Sequence, residues 1–195
     1  MSTIEKEAHR DLRLLICDTA CNVGETSSDD EEWISSPIRC LDRAVDSTPG
    51  IIAVRFGEVP IGKREALLEL AFALKRNSHT RMHPVLALLD FKHRKLLEDL
   101  NRAGVEFAKY IGGITLESNR LRSIIDGLGP ADYLAGVLET MCPFLHYNVI
   151  DSQQEMTVCG GYLDRLVLGG RWLHKTCETG DHVQCEHYLN PRLEP

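Results

Sequence analysis

Ile51-Ile52-Ala53-Val54-Arg55-Phe56 and, further on, Val85-Leu86-Ala87-Leu88-Leu89 are short, nearly continuous apolar runs. Pro49-Gly50 precedes the first, a turn from Gly57 to Gly62 follows it, and His83-Pro84 opens the second. Runs of this length between turn residues predict strands buried on both faces of a parallel sheet. Between them, Arg64 to Arg76 has helical spacing, with Leu67, Leu68, Ala71 and Leu74 as its apolar stripe. Strand, helix and strand in that order make a βαβ crossover.

The pattern extends in both directions. Leu12 to Asp18 predicts an earlier strand that ends in a carboxylate. Gly24 to Glu32 is polar and acidic, and predicts a mobile loop because it has little apolar area to bury. Trp33 to Val45 predicts a helix with Ile34, Ile38, Leu41 and Val45 on one face. Downstream, Arg94 to Ala103 predicts a helix stopped by Gly104, and Val105 to Ile111 a further strand. The expected fold class is α/β over residues 1–113, a parallel sheet with helices on both faces. Residues 114–195 predict a small helical, cysteine-bearing region, with one helix around Leu121 to Leu128 and another over Asp132 to Met141.

Several motifs in the first region recur in a known order. Val59-Pro60-Ile61-Gly62 leads into a helix, Thr80-Arg81-Met82-His83-Pro84-Val85-Leu86-Ala87-Leu88 opens a strand, and Ala103-Gly104-Val105 precedes another, with Lys109 near its end. In this order they resemble the receiver domain of response regulators. The resemblance implies a flavodoxin-like sheet, and the same comparison implies lost chemistry. The family's acceptor aspartate, four residues before the turn proline, is here Phe56; of its acidic pair only Asp18 remains, followed by Thr19. Leu88-Leu89 replaces its switch threonine. One carboxylate beside a phenylalanine is a poor magnesium site. The implied object is a pseudo-receiver that no longer accepts phosphate and acts through protein contacts. The interval from Asp18 to Pro49 is also short for two helices and a strand, so one early element is expected to be missing.

The chain has 195 residues, 43% hydrophobic and 26% charged, enough for a substantial core. No apolar run reaches the roughly 20 residues that a bilayer requires, and the charged start Met1 to Glu7 has no signal-peptide stretch behind it. These features predict a cytoplasmic protein with no membrane contact. A net charge of −7 without a basic stripe argues against nucleic acid as a partner; the local group Lys92, His93, Arg94 and Lys95 reads as a solvated helix start. A protein partner is the expectation.

Seven cysteines are many for a reducing compartment, where metal or redox chemistry is favoured over disulfides. Cys17 and Cys40 fall in a strand and beside a helix stripe, and read as small buried hydrophobes. Cys17 and Cys21 have neither the spacing nor the helix start of a redox pair. Cys142, Cys159, Cys177 and Cys185 are different, because they lie in a polar, turn-rich tail separated by 16, 17 and 7 intervening residues. Four thiolates suffice for an iron–sulfur cluster, [4Fe–4S] or [2Fe–2S], and equally for tetrahedral zinc. The absence of a Cys-x2-Cys knuckle and the proline after Cys142 favour the cluster, with [4Fe–4S] as the expected form and Zn²⁺ as the alternative. His182 and His187, which flank Cys185, are the alternate ligands; His174 precedes Cys177.

No nucleophile elbow, phosphate loop or convergent acid–base set accompanies the cysteines; Asp164, Arg165 and Arg171 read as solvated residues. The expected function is non-catalytic: a regulatory or adaptor protein in which a cysteine-held cluster senses redox state or oxygen. An electron-transfer or enzyme subunit, and a metal-free interaction scaffold, are the competing classes.

Overall fold

The computed structural model describes residues 13–19, 30–57 and 59–193. Five strands form one parallel sheet: β1 (Leu14–Cys17), β2 (Glu31–Ile34), β3 (Ile51–Phe56), β4 (Val85–Leu89) and β5 (Phe107–Tyr110), in the order β2-β1-β3-β4-β5. This is the flavodoxin-like order. The chain reverses its direction of winding at β1, and a crevice opens between the carboxyl ends of β1 and β3.

Strand periodicity sorts the core into two layers. Leu15, Cys17, Ile52, Val54, Phe56, Ala87 and Leu89 face one side. There they meet α1 (Pro37–Asp46), α2 (Ile61–Arg76) and α3 (Arg94–Ala103) through Cys40, Leu67, Leu74, Leu97 and Leu100. Leu14, Ile16, Ile51, Ala53, Leu86 and Leu88 face the other side, against Leu121 and Ile125 of α4 (Ser118–Asp126). Each fully buried leucine, such as Leu67 or Leu97, contributes about 1.5–3 kcal/mol. Gly104 ends α3 with a φ of 91°, a conformation that a residue with a Cβ adopts at a cost. The 118–126 helix, expected with the tail, lies on the sheet.

Three local expectations are corrected. Glu31 and Glu32 belong to edge strand β2 and are buried, although the acidic run predicted a loop; residues 20–29 of that interval lie outside the described residues. Arginines make this burial tolerable: Arg122 reaches Glu31 at 2.7 Å, and Arg13 and Arg43 meet Glu32 at 3.3 and 2.5 Å. The strand displaces the start of the expected 33–45 helix to Pro37. The helix also buries a different face, because Ile38 is 75% exposed while Cys40 and Ala44 are sealed.

The tail, expected to be helical, contains a second sheet as well as short helical turns. After a 3-10 turn (Pro130–Asp132) and α5 (Leu134–Glu139), strands β6 (Leu145–Val149), β7 (Glu155–Cys159) and β8 (Leu166–Val167) pair antiparallel in the order β6-β7-β8. A helical run over Gly170–Trp172 and Leu173–Cys177 follows, then turns at Gly180–Gln184 and Glu186–Leu189. The connection into this module also protects the edge of β5: Leu134 N–H donates to the Glu106 carbonyl at 2.9 Å, and Phe107 stacks on Tyr133. Leu134, Met141, Leu145 and Leu168 continue the same apolar cluster as α3, so the module shares the receiver layer's core. No described helix is long and apolar enough to cross a membrane.

Candidate functional site

At the switch point, three side chains on one sheet face converge. Asp18 follows β1, Arg55 is the penultimate residue of β3, and Asp90 follows β4. Each sits one step of period two beyond the apolar row Ile16, Ala53 and Leu88. Arg55 donates to Asp18 at 3.1 Å, to Asp90 at 3.0 and 3.4 Å, and to the Ile114 carbonyl at 3.1 Å. Both carboxylate side chains are nearly sealed. Burial works against the Arg55 charge, but the hydrogen bonds and charges of Asp90 and Asp18 outweigh it and raise the pKa. The crevice between the strand ends therefore already contains a cation bonded to two carboxylates.

The residues at the positions that the sequence resemblance singles out are apolar or paired elsewhere. Phe56, at the acceptor position, is fully buried on the opposite sheet face. Leu88 and Leu89 are core residues. Lys109 pairs with Asp132 at 2.6 Å. Sequence reading retained Asp18 as a remnant but missed Arg55. The signal available was the period-two row, which puts residue 55 beside residue 18 once Cys17 pairs with Val54.

The four tail cysteines, a second candidate site, all lie in the module that follows α5. Cys142, Cys159 and Cys177 are buried, Cys185 is half-buried, and all four are free thiols. Cys142 N–H donates to the Cys177 carbonyl at 2.8 Å, which joins the segment before β6 to the turn after β8. Cys159 ends β7, and Cys185 begins the last helical turn.

The Cys142, Cys159 and Cys177 sulfurs each lie in the electrostatic field of other cysteines. Burial is the main influence that pushes the Cys142, Cys159 and Cys177 thiols up. Cys159 and Cys185 add to it at Cys142, and Cys185 adds to it at Cys159. All three others add to it at Cys177, which is pushed up to about 12. Backbone N–H groups act in the opposite direction: Phe144 donates to the Cys142 sulfur, and Gly161 and Tyr162 to the Cys159 sulfur. Gly161 is required at its position, since a Cβ there would stand 2.7 Å from the His187 carbonyl oxygen. These donors stabilise thiolate over thiol. As the side chains stand, no group of three or more Cys, His, Asp or Glu among the described residues could hold a single metal ion.

The alternate ligands have other contacts. His182 is buried, its Nδ1 donates to the Thr179 carbonyl at 2.7 Å, and its ring meets Tyr188 edge-on. That bond leaves Nε2 with the lone pair, the form a ligand needs. His187 lies against Tyr162, and His174 pairs with Glu178 at 2.8 Å. Asp164, Arg165 and Arg171 are exposed, as expected; Asp164 meets His146 at 2.7 Å. Cys17 and Cys40 are fully buried, and the side-chain hydrogen bond between them, with burial, pushes the Cys40 thiol up. They pack as small hydrophobes. Cys21 lies outside the described residues.

No protein-family model and no curated protein sequence matches the chain. Among solved structures, the crystal structure of a response regulator from Desulfuromonas acetoxidans is similar, with 21% identity and a TM-score of 0.42. The match covers 58% of this chain and 93% of that one. The sheet order and helix layers described above define the fold as receiver-like.

Proposed function

We propose that the protein is a non-catalytic regulatory adaptor, a phosphate-blind receiver layer joined to a four-cysteine module that holds an iron–sulfur cluster and works through protein contacts. The observation that carries this reading is the mutual influence of the four tail thiols. Metal binding releases thiol protons, and a bound cation offsets the mutual repulsion of the thiolates so formed. The N–H groups directed at the Cys142 and Cys159 sulfurs support thiolate ligation. The missing Cys-x2-Cys knuckle and the proline after Cys142 favour the cluster over zinc. Phosphate blindness is supported by Arg55, whose guanidinium takes up the carboxylates that a magnesium ion would use, and by Phe56.

Because the module shares a core with α3, cluster loss would disturb the receiver layer's surface and so alter partner docking. Redox state or oxygen is the signal this arrangement fits. Protein purified without oxygen should be brown, absorb broadly near roughly 400 nm, and contain iron and acid-labile sulfide in equal amounts. Stoichiometric zinc in a colourless protein would make the site structural. A metal-free protein whose melting is unchanged by Cys177→Ser would leave an interaction scaffold.

A further inference from the structure

A cavity of about 310 Å³ lies where the receiver layer meets the cysteine module, outside both sites above. Its walls come from the loop after β4, the end of β5, the start of α2, strands β6 and β7, and the turn that carries Cys177. Size and position at a junction suit a small-molecule site. The lining has a definite chemistry.

The walls are flat. His93 stacks on Tyr147 with ring centres 3.7 Å apart, and Phe91 meets His93 edge-on. Tyr110 stands across the opening with the Lys92 ammonium 5.8 Å from its ring centre. Leu96 N–H donates to His93 Nδ1, which places the ring proton on Nε2, facing Glu155 at 3.3 Å. Burial holds His93 below the usual histidine range, so the stacked pair is an uncharged floor.

The lining pairs the cations Arg64 and Lys92 with the carboxylates Glu155 and Glu178, and donors remain on Lys92 and Tyr147. Glu155 commits one oxygen to Arg64 at 2.5 Å and the other to His93. Glu178 commits a carboxylate oxygen to His174 and its carbonyl to Lys92. Lys92 makes that one bond at 2.9 Å and has two further N–H groups. Tyr147 Oη accepts from Arg94 N–H and still has its own proton to give. Arg64 and the Thr157 hydroxyl add more donors. A ligand entering here meets aromatic faces, with the spare N–H groups of Lys92 and the Tyr147 O–H beside carboxylates already engaged by Arg64, His93 and His174.

We propose that this cavity binds a small planar oxyanion, an aromatic or conjugated carboxylate, with its ring between Tyr110 and the His93–Tyr147 stack and its carboxylate on Lys92 and Thr157. The inference does not depend on the cysteines carrying a cluster, and its test reads binding alone. The full chain is titrated with 2-naphthoate by calorimetry at neutral pH, with 2-naphthamide and inorganic phosphate as comparisons. Saturable one-to-one binding is expected with a Kd below about 1 mM. The amide lacks the charge and phosphate lacks the plane, so each should bind at least about tenfold more weakly. Lys92→Met and, separately, Thr157→Val should each weaken naphthoate binding by about tenfold. Absence of saturable binding at about 5 mM overturns the proposal. So does equal binding of the amide or of phosphate, or unchanged affinity in both variants.

Discussion

Cys142 N–H donates to the carbonyl of Cys177 at 2.8 Å, so two proposed ligands from distant parts of the tail are joined through their backbones with no metal needed for the contact. The segment entering β6 and the end of the helical run at Cys177 are thereby held in register by the main chain. A site arranged in this way loses less order to ligation than a loose tail would. The module should then remain folded without metal, but at reduced stability. Removing the metal from anaerobically prepared protein with a strong chelator should lower its melting temperature while preserving far-ultraviolet circular dichroism. A melting temperature identical before and after removal would count against shared ligation.

The thiols set a pH dependence with a definite sign. Cys177 is pushed from 9.0 up to about 12 in the folded protein. Between these values the unfolded chain has released the proton and the folded chain keeps it, so stability falls as pH rises. The stabilisation is fully present below about pH 9. Cys177 alone contributes a loss of up to about 1.4 kcal/mol per pH unit above that, and Cys142 and Cys159, also raised, add to the same slope. Urea unfolding of metal-free protein from pH 8 to 10.5 measures it. Cys177→Ser should flatten the decline, and an equally steep decline in that variant would refute the assignment.

Arg55 should be far more costly to lose than an exposed arginine. Its removal takes from Asp18 and Asp90, both buried, the cation that they share. Arg55→Met is expected to destabilise the fold by about 3–5 kcal/mol, the cost of breaking a buried pair from one side. Neutralising both acids in the same chain, Asp18→Asn with Asp90→Asn, should recover much of that loss. Denaturant midpoints of the single and triple variants check this; a single variant within about 0.5 kcal/mol of the parent would show that water already screens the crevice.

How much of this was legible in the sequence depended on whether a residue's role is local. Strands β3 and β4 were read with their bounds because Pro49-Gly50, Gly57 and His83-Pro84 punctuate runs that are apolar on both faces. Helix α3 was equally plain, since Gly104 takes the left-handed conformation its position suggests. Strand β2 was hidden because Glu31 and Glu32 are buried by arginines at positions 13, 43 and 122, and no local pattern announces such partners. Strands β6 and β7 went unread for another reason. Tyr147 and Thr157 alternate with residues that are polar or exposed on one side only, so hydropathy gave no run. The four cysteines were legible as a set, and three of them are buried in the module. Arg55 was read only as part of strand β3, and it is the residue that fills the crevice.

The two adjacent glycines after Cys159 should respond differently to alanine. At Gly160 the new Cβ would come within 2.5 Å of the His146 ring, but that side chain is exposed and can swing aside. At Gly161 it would meet the His187 carbonyl oxygen at 2.7 Å and Phe144 at 3.3 Å, and a backbone oxygen can yield only by moving the last helical turn. That movement would also draw the Gly161 N–H away from the Cys159 sulfur. Gly161→Ala is therefore expected to cost about 1–3 kcal/mol, as overpacking does, and Gly160→Ala clearly less. If the cysteines ligate, Gly161→Ala should also lower bound metal in anaerobic preparations, whereas Gly160→Ala should retain it. Thermal melts and metal analysis of the two variants together separate packing from ligation: a Gly161→Ala protein that melts early but keeps its full metal content would confine this glycine's role to packing.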